Sequence, residues 1–189
     1  MNNLSQTSKH TISALVLDKP GVLNRISSMF RRRGFNIASL AVGQSENPSL
    51  SRMTFVVVGN NSVVEQVTKH LNKLIDVIKV LDLSSENVIS RELALFRINS
   101  SPQARSEIMD LSNIFRANVV DIARNTMILE ITGNEEKIVA FEEMLRPFGI
   151  IEIMRTGTIS LKRGMDTSLN LQQPKERRNQ SSWGEAASV

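Results

Sequence analysis

HTISALVLDKPGVLNRISSMFRRRGFNIASLAVG, residues 10–43, reads as a strand, a tight turn, a helix and a second strand in succession. Over residues 12–17, Ile12, Ala14 and Val16 alternate with Ser13, Leu15 and Leu17, a strand period with both faces partly apolar. Asp18-Lys19-Pro20-Gly21 breaks it. Asp18 is expected to cap the following helix, Pro20 fits a first turn, and Gly21 lets another molecule approach the backbone closely. Val22, Leu23, Ile26, Met29 and Phe30 then recur at helical spacing, and Gly34 stops the helix as a left-handed C-cap would. A glycine at a helix start directly after a strand is a place where a small carboxylate docks on backbone N–H groups. Such a turn also serves simply to join a strand to a helix.

The same grammar continues outward. Asn47-Pro48-Ser49 makes a turn, Met53 to Val58 is a strand dense in β-branched residues, and Ser62 followed by Glu65 reads as a capping box. Val63, Val64, Val67, Leu71, Leu74 and Ile75 form an apolar helical stripe, and a strand follows at about Ile78 to Leu83. The order β-α-β-β-α-β is then spelled again: a strand at Leu93 to Ile98, a helix opened by Ser101-Pro102, strands at Asn118 to Ile122 and Thr126 to Ile131, a helix from Gly133-Asn134 to near Pro147, and a strand at Ile150 to Met154 that Thr158 to Leu161 can extend. Each unit predicts two helices on one side of a four-stranded antiparallel sheet. The expected fold class is therefore α+β, with two tandem ferredoxin-like (βαββαβ) modules joined near Ser84 to Ser90. Modules of this size bury chain surface marginally, and a sheet covered on one side leaves its other face open, so association into a homodimer is expected, sheets meeting side by side or face to face.

DKPGVLNRISSMFRRRGFNIASLAVG, with SRMTFVVVG at 51–59, EQVTKHLNKLIDVIKV at 65–80, SRELALFRI at 90–98, IFRANVVDI at 114–122 and FGIIEIMRTGTISLKRG at 148–164, resembles the regulatory (small) subunit of acetohydroxyacid (acetolactate) synthase. The resemblance covers roughly residues 9–164, in several blocks in the family's order. It implies an ACT domain in the first module, and the expected divisions are an N-terminal arm at 1–9, the effector-binding ACT domain at 10–84, a second ferredoxin-like domain at 85–164 and a polar, disordered tail at 165–189. It implies a non-catalytic subunit that raises the activity of a separate catalytic (large) subunit and confers feedback inhibition by a branched-chain amino acid, usually valine, with leucine or isoleucine as the other candidates. Thiamine diphosphate, magnesium and FAD are implied on the catalytic partner and no cofactor on this chain. By position, the effector site would use Asp18, Gly21, Val22 and Leu23 from the turn and helix start, with Asn36 and Ile37 at the start of the second strand supplied by the neighbouring protomer. The second module is given a role in effector response and enzyme contact.

Composition and motifs agree. With 189 residues and no cysteine, disulfides, thiol nucleophiles and cysteine metal sites are excluded. No apolar run approaches the roughly 20 residues that span a bilayer, and no signal or transit peptide is legible, so a cytoplasmic protein is expected. The net charge of +4 raises the question of nucleic acid. Arg31, Arg32 and Arg33, however, close a helix where cations interact favourably with its dipole. Arg33-Gly34-Phe35 resembles the start of an RNA recognition signature, but Asn36, Ile37 and Ala38 break it, it falls at the second strand, and 4% aromatics leave few platforms for stacked bases. His70 has no ligand partner at i+4, and Lys69 and Lys73 beside it disfavour a cation. No phosphate loop, dinucleotide fingerprint or nucleophile elbow is present, so no catalytic site is read. An amino-acid sensor with a different target is the remaining alternative.

Overall fold

The computed structural model describes residues 8–164; the expected tail and most of the N-terminal arm lie outside them. The first half runs β1 (Ser8–Leu17), α1 (Val22–Arg33), β2 (Ile37–Gln44), β3 (Leu50–Gly59), α2 (Asn61–Leu71) and β4 (Val77–Asp82). The second runs β5 (Val88–Asn99), α3 (Arg105–Phe115), β6 (Asn118–Ile122), β7 (Thr126–Gly133), α4 (Glu135–Leu145), a short 3-10 turn (Arg146–Phe148), β8 (Ile150–Arg155) and β9 (Ile159–Lys162). The sheets have the orders β2-β3-β1-β4 and β6-β7-β5-β8, all neighbours antiparallel. These are two ferredoxin-like βαββαβ modules.

Each module has its own core. Ile12, Ala14 and Val16 of β1 and Met53, Phe55 and Val57 of β3 meet Val22, Ile26, Met29 and Phe30 of α1 and Val64, Val67 and Leu71 of α2. Phe30 stacks on Phe55 at 5.3 Å between ring centroids, which seats α1 over β3. In the second core Ala94, Phe96 and Ile98 meet Ile108, Ile138, Phe141 and Leu145, with Phe96 edge-on to Phe141. Four of the five apolar positions spaced along α1, Val22, Ile26, Met29 and Phe30, are therefore buried, and Leu23 is the exception. Ile75 departs from its stripe: α2 ends at Leu71, and Ile75 stands 81% exposed in the connection to β4.

Three local expectations are corrected. Asp18 does not cap α1; its backbone N–H donates to the Ser49 carbonyl at 2.8 Å, and the residue at the helix start is Gly21. The cap of α2 is Asn60, whose side chain accepts the Val63 N–H, so the helix begins before the expected Ser62–Glu65 box. The junction read as Ser84 to Ser90 is shorter, because Val88 to Arg91 are already strand, paired with β9. This two-stranded ribbon carries the second module back over the first. Thr54 and Val56, on the face of the first sheet turned away from the helices, are buried, and both line clefts whose far walls are the ribbon and residues 155–158. The expected open face is thus partly covered by the chain itself.

Candidate functional site

The turn from β1 to α1 stands on the surface. Gly21 takes φ +85°, and a Cβ placed on it would meet nothing within 4 Å. No side chain caps α1 and no acid occupies its first turn. The Val22 N–H reaches the Lys19 carbonyl at 3.4 Å and the Arg25 N–H the Gly21 carbonyl at 2.9 Å, which leaves the Leu23 and Asn24 N–H groups as outward donors. By contrast α2 and α4 are closed by the amides of Asn60 and Asn134. Free donors at a helix start, with the positive end of the dipole behind them, suit a carboxylate. Val22 is buried in the core, whereas Leu23 is 48% exposed and presents an apolar side chain beside the donors. Asp18 is exposed near them.

Asn36 and Ile37 do not join this group within one protomer. They lie beyond the C-terminal end of α1, a helix of 12 residues and so about 18 Å long. The sheet register agrees: Ile37 pairs with Val57 at one end, while Leu17 pairs with Leu50, and Gln44 with Ser51, at the end that carries the turn. The six expected residues therefore fall into two groups at opposite ends of the module.

Sequence reasoning missed the contact between the modules. A polar cleft of about 320 Å³ has Ser39, Leu40 and Val56 on one wall and Glu92, Arg155 and Gly157 on the other. Glu92 is buried and accepts two hydrogen bonds from Arg155, Nε to Oε1 at 2.7 Å and Nη2 to Oε2 at 2.8 Å. Those bonds raise the Arg155 pKa above the ordinary arginine value, and the fields of Glu135 and Glu142 add to them. Lys9 pairs with Glu135 across the same cleft. Each charge is matched, so the cleft is a brace between modules. A second, apolar groove of about 510 Å³ runs between Ala41, Val42 and Gly43 of β2 and Ile89, Ile159 and Leu161 of the ribbon.

Other chemistry is sparse. Among the described residues no group of three His, Cys, Asp or Glu could hold a metal, and no helix is long and apolar enough to cross a membrane. The His70 pKa lies below the ordinary value, through desolvation first and then the charges of Arg33 and Lys73. Lys69 drops out because Glu65 pairs with it. Phe35 packs edge-on against Phe30 in the first core and is not displayed on a sheet face, so the aromatic of the Arg33-Gly34-Phe35 run is no platform for a base.

Residues 12–79 match the AHAS small subunit-like ACT domain, and residues 91–164 match the small subunit of acetolactate synthase. A probable acetolactate synthase small subunit of Archaeoglobus fulgidus is 53% identical over 156 residues, covering 82% of this chain and 98% of that one. The acetolactate synthase small subunit of Mycolicibacterium smegmatis is 50% identical over 158 residues, covering 84% and 93%. The crystal structure of the small subunit from Thermotoga maritima superposes with a TM-score of 0.78 at 39% identity, covering 84% of this chain and 99% of that one. Two modules in the same order, matched along nearly the whole length of such relatives, place this chain in the acetolactate synthase small-subunit family.

Proposed function

We propose that this chain is the regulatory subunit of acetohydroxyacid synthase: it works in the cytoplasm, activates a separate catalytic subunit, and makes that enzyme sensitive to valine. Thiamine diphosphate, magnesium and FAD belong to the catalytic chain, which joins pyruvate to a second 2-ketoacid. The observation that carries the effector reading is the uncapped start of α1, open at Gly21, with free N–H donors beside the exposed Leu23. A carboxylate takes the donors, the Leu23 side chain meets an isopropyl group, and Asp18 or Asn36 accepts from the ammonium group.

A homodimer completes the site. β2 is an edge strand, and its sequence IASLAVGQ contains neither charge nor proline, whereas the edge strands β4, β6 and β8 each carry charged residues. An unprotected edge of this kind pairs readily with another strand. Antiparallel pairing of two β2 strands about a twofold axis sets the start of one against the end of the other. That end lies on the side of the sheet that carries the β1–α1 turn, so Asn36 and Ile37 of one protomer approach Gly21 to Leu23 of the next. Ligand then favours one dimer geometry over another, and that difference is what regulation requires. Burial of a valine side chain contributes at most about 1.5 to 3 kcal/mol, so the charged ends carry much of the affinity.

Reconstitution tests this. Adding the chain to its cognate catalytic subunit should raise the rate of acetohydroxyacid formation, and valine should lower it again. Absence of stimulation would remove the regulatory assignment and favour an amino-acid sensor with another target.

A further inference from the structure

A register break in β2 has a specific effect on one side chain. Ile37 faces Val57 and Ser39 faces Val56, so Ala38 is an extra residue opposite β3. Regular alternation would turn Ser39 to the same face as Ile37, toward the helices; the bulge turns it to the other face. There the Ser39 Oγ accepts the Thr158 N–H at 3.0 Å. Gly157 takes φ +81°, and a Cβ on it would lie 2.8 Å from that same Oγ and 3.1 Å from the Leu40 carbonyl oxygen, so the loop backbone lies flush on β2.

The loop is equally fixed to the second module. The Thr156 N–H donates to the Leu93 carbonyl at 3.0 Å, and the Leu93 N–H donates to the Thr156 Oγ1 at 3.1 Å. Arg155 just before it is held by the buried Glu92, and β8 and β9 leave the loop on either side along β5. A close-packed contact has no slack, so a shift of β2 at Ser39 must move the loop or break the hydrogen bond. Asn36 and Ile37 lie immediately before the bulge.

We propose that the Ala38 bulge and the Ser39–Thr158 contact form the joint through which effector occupancy at Asn36 and Ile37 reaches the second module, with Ser39 and Gly157 acting as coupling positions that touch no ligand. The proposal rests on the effector reading given above. Bulges can re-aim side chains next to functional sites, and here the re-aimed side chain links strand and loop across 119 positions of sequence.

The test separates binding from response. Ser39→Ala removes the acceptor and leaves the strand in place. By calorimetry its valine Kd should stay within about threefold of the unsubstituted protein, and it should still activate the catalytic subunit without valine. Inhibition at saturating valine should fall by about half or more, as expected when the coupling between the two modules is interrupted. Gly157→Ala, which wedges the joint from the other side, should weaken inhibition in the same sense, while Lys9→Met, which breaks an exposed ion pair between the same modules, should not. Full inhibition in Ser39→Ala overturns the joint. Parallel loss of valine binding and inhibition also overturns it, because Ser39 would then belong to the binding site. Failure of the unsubstituted protein to bind valine overturns instead the effector reading beneath it.

Discussion

Gly21 combines a positive φ with open space at the start of α1, the position on which the proposed effector site depends. Its positive φ costs an ordinary L-residue about 1 to 2 kcal/mol, with Asp and Asn among the better tolerated, and open space surrounds the position where a Cβ would be. Gly21→Asp should therefore fold and dimerise yet bind no valine, because its carboxylate would occupy the place of the ligand's and repel it. Gly21→Asn carries the same backbone strain without the charge and should retain weakened binding. Calorimetry beside circular dichroism distinguishes the two, and unchanged binding in the aspartate variant would remove the turn from the site. Gly34 was legible for a related reason: a left-handed C-cap, here at φ +67°, depends on its own residue and the turn before it. Asp18 is of a type that often caps helices, but here Gly21 stands between the proline and the first helical position and takes that place.

Among the elements, helical stripes are more legible in the sequence than helix ends. The period of α1 matches its buried residues at Val22, Ile26, Met29 and Phe30, with Leu23 left outside, because burial of one face is what holds such a short helix. The start of α2 was placed two residues late: Ser62 and Glu65 satisfy the capping-box pattern, but β3 ends at Gly59 and Asn60 reaches the free Val63 N–H first. Asn60→Ala should accordingly cost about 1 kcal/mol, while Ser62→Ala should change stability by only a few tenths. Urea or thermal unfolding of the two variants checks the order. β5 likewise begins earlier than its apolar run suggests. Val88 to Arg91 become strand only because β9 pairs with them, and β9 arrives about 70 positions later in the chain.

For the whole molecule, the strand edges differ in what they offer to a second copy. β2 is bare of charge while the edge strands β4, β6, β8 and β9 each carry acids or bases, and the groove beside it is lined by Ala41, Val42 and the ribbon's apolar residues. Val42 is 51% exposed, so Val42→Lys should be tolerated by the fold while placing a blocking charge on the edge. The variant should sediment as a monomer and lose valine affinity in parallel, because Asn36 and Ile37 would no longer reach a neighbour's turn. A dimeric variant with intact binding would place the interface elsewhere.

By itself the sequence determined the two βαββαβ units, the apolar faces of their helices, the turn at Gly21 and the family. These depend on periodicity, caps and turn residues that act within a few positions of each other. Tertiary structure alone decided that the residues proposed for the effector site fall into two groups at opposite ends of α1, that the ribbon covers part of the first sheet, and that Ser39 faces Gly157 and Thr158. Those outcomes depend on strand order, on one bulged residue and on pairings between distant segments. No local pattern encodes them, because their energies arise only when the two modules meet.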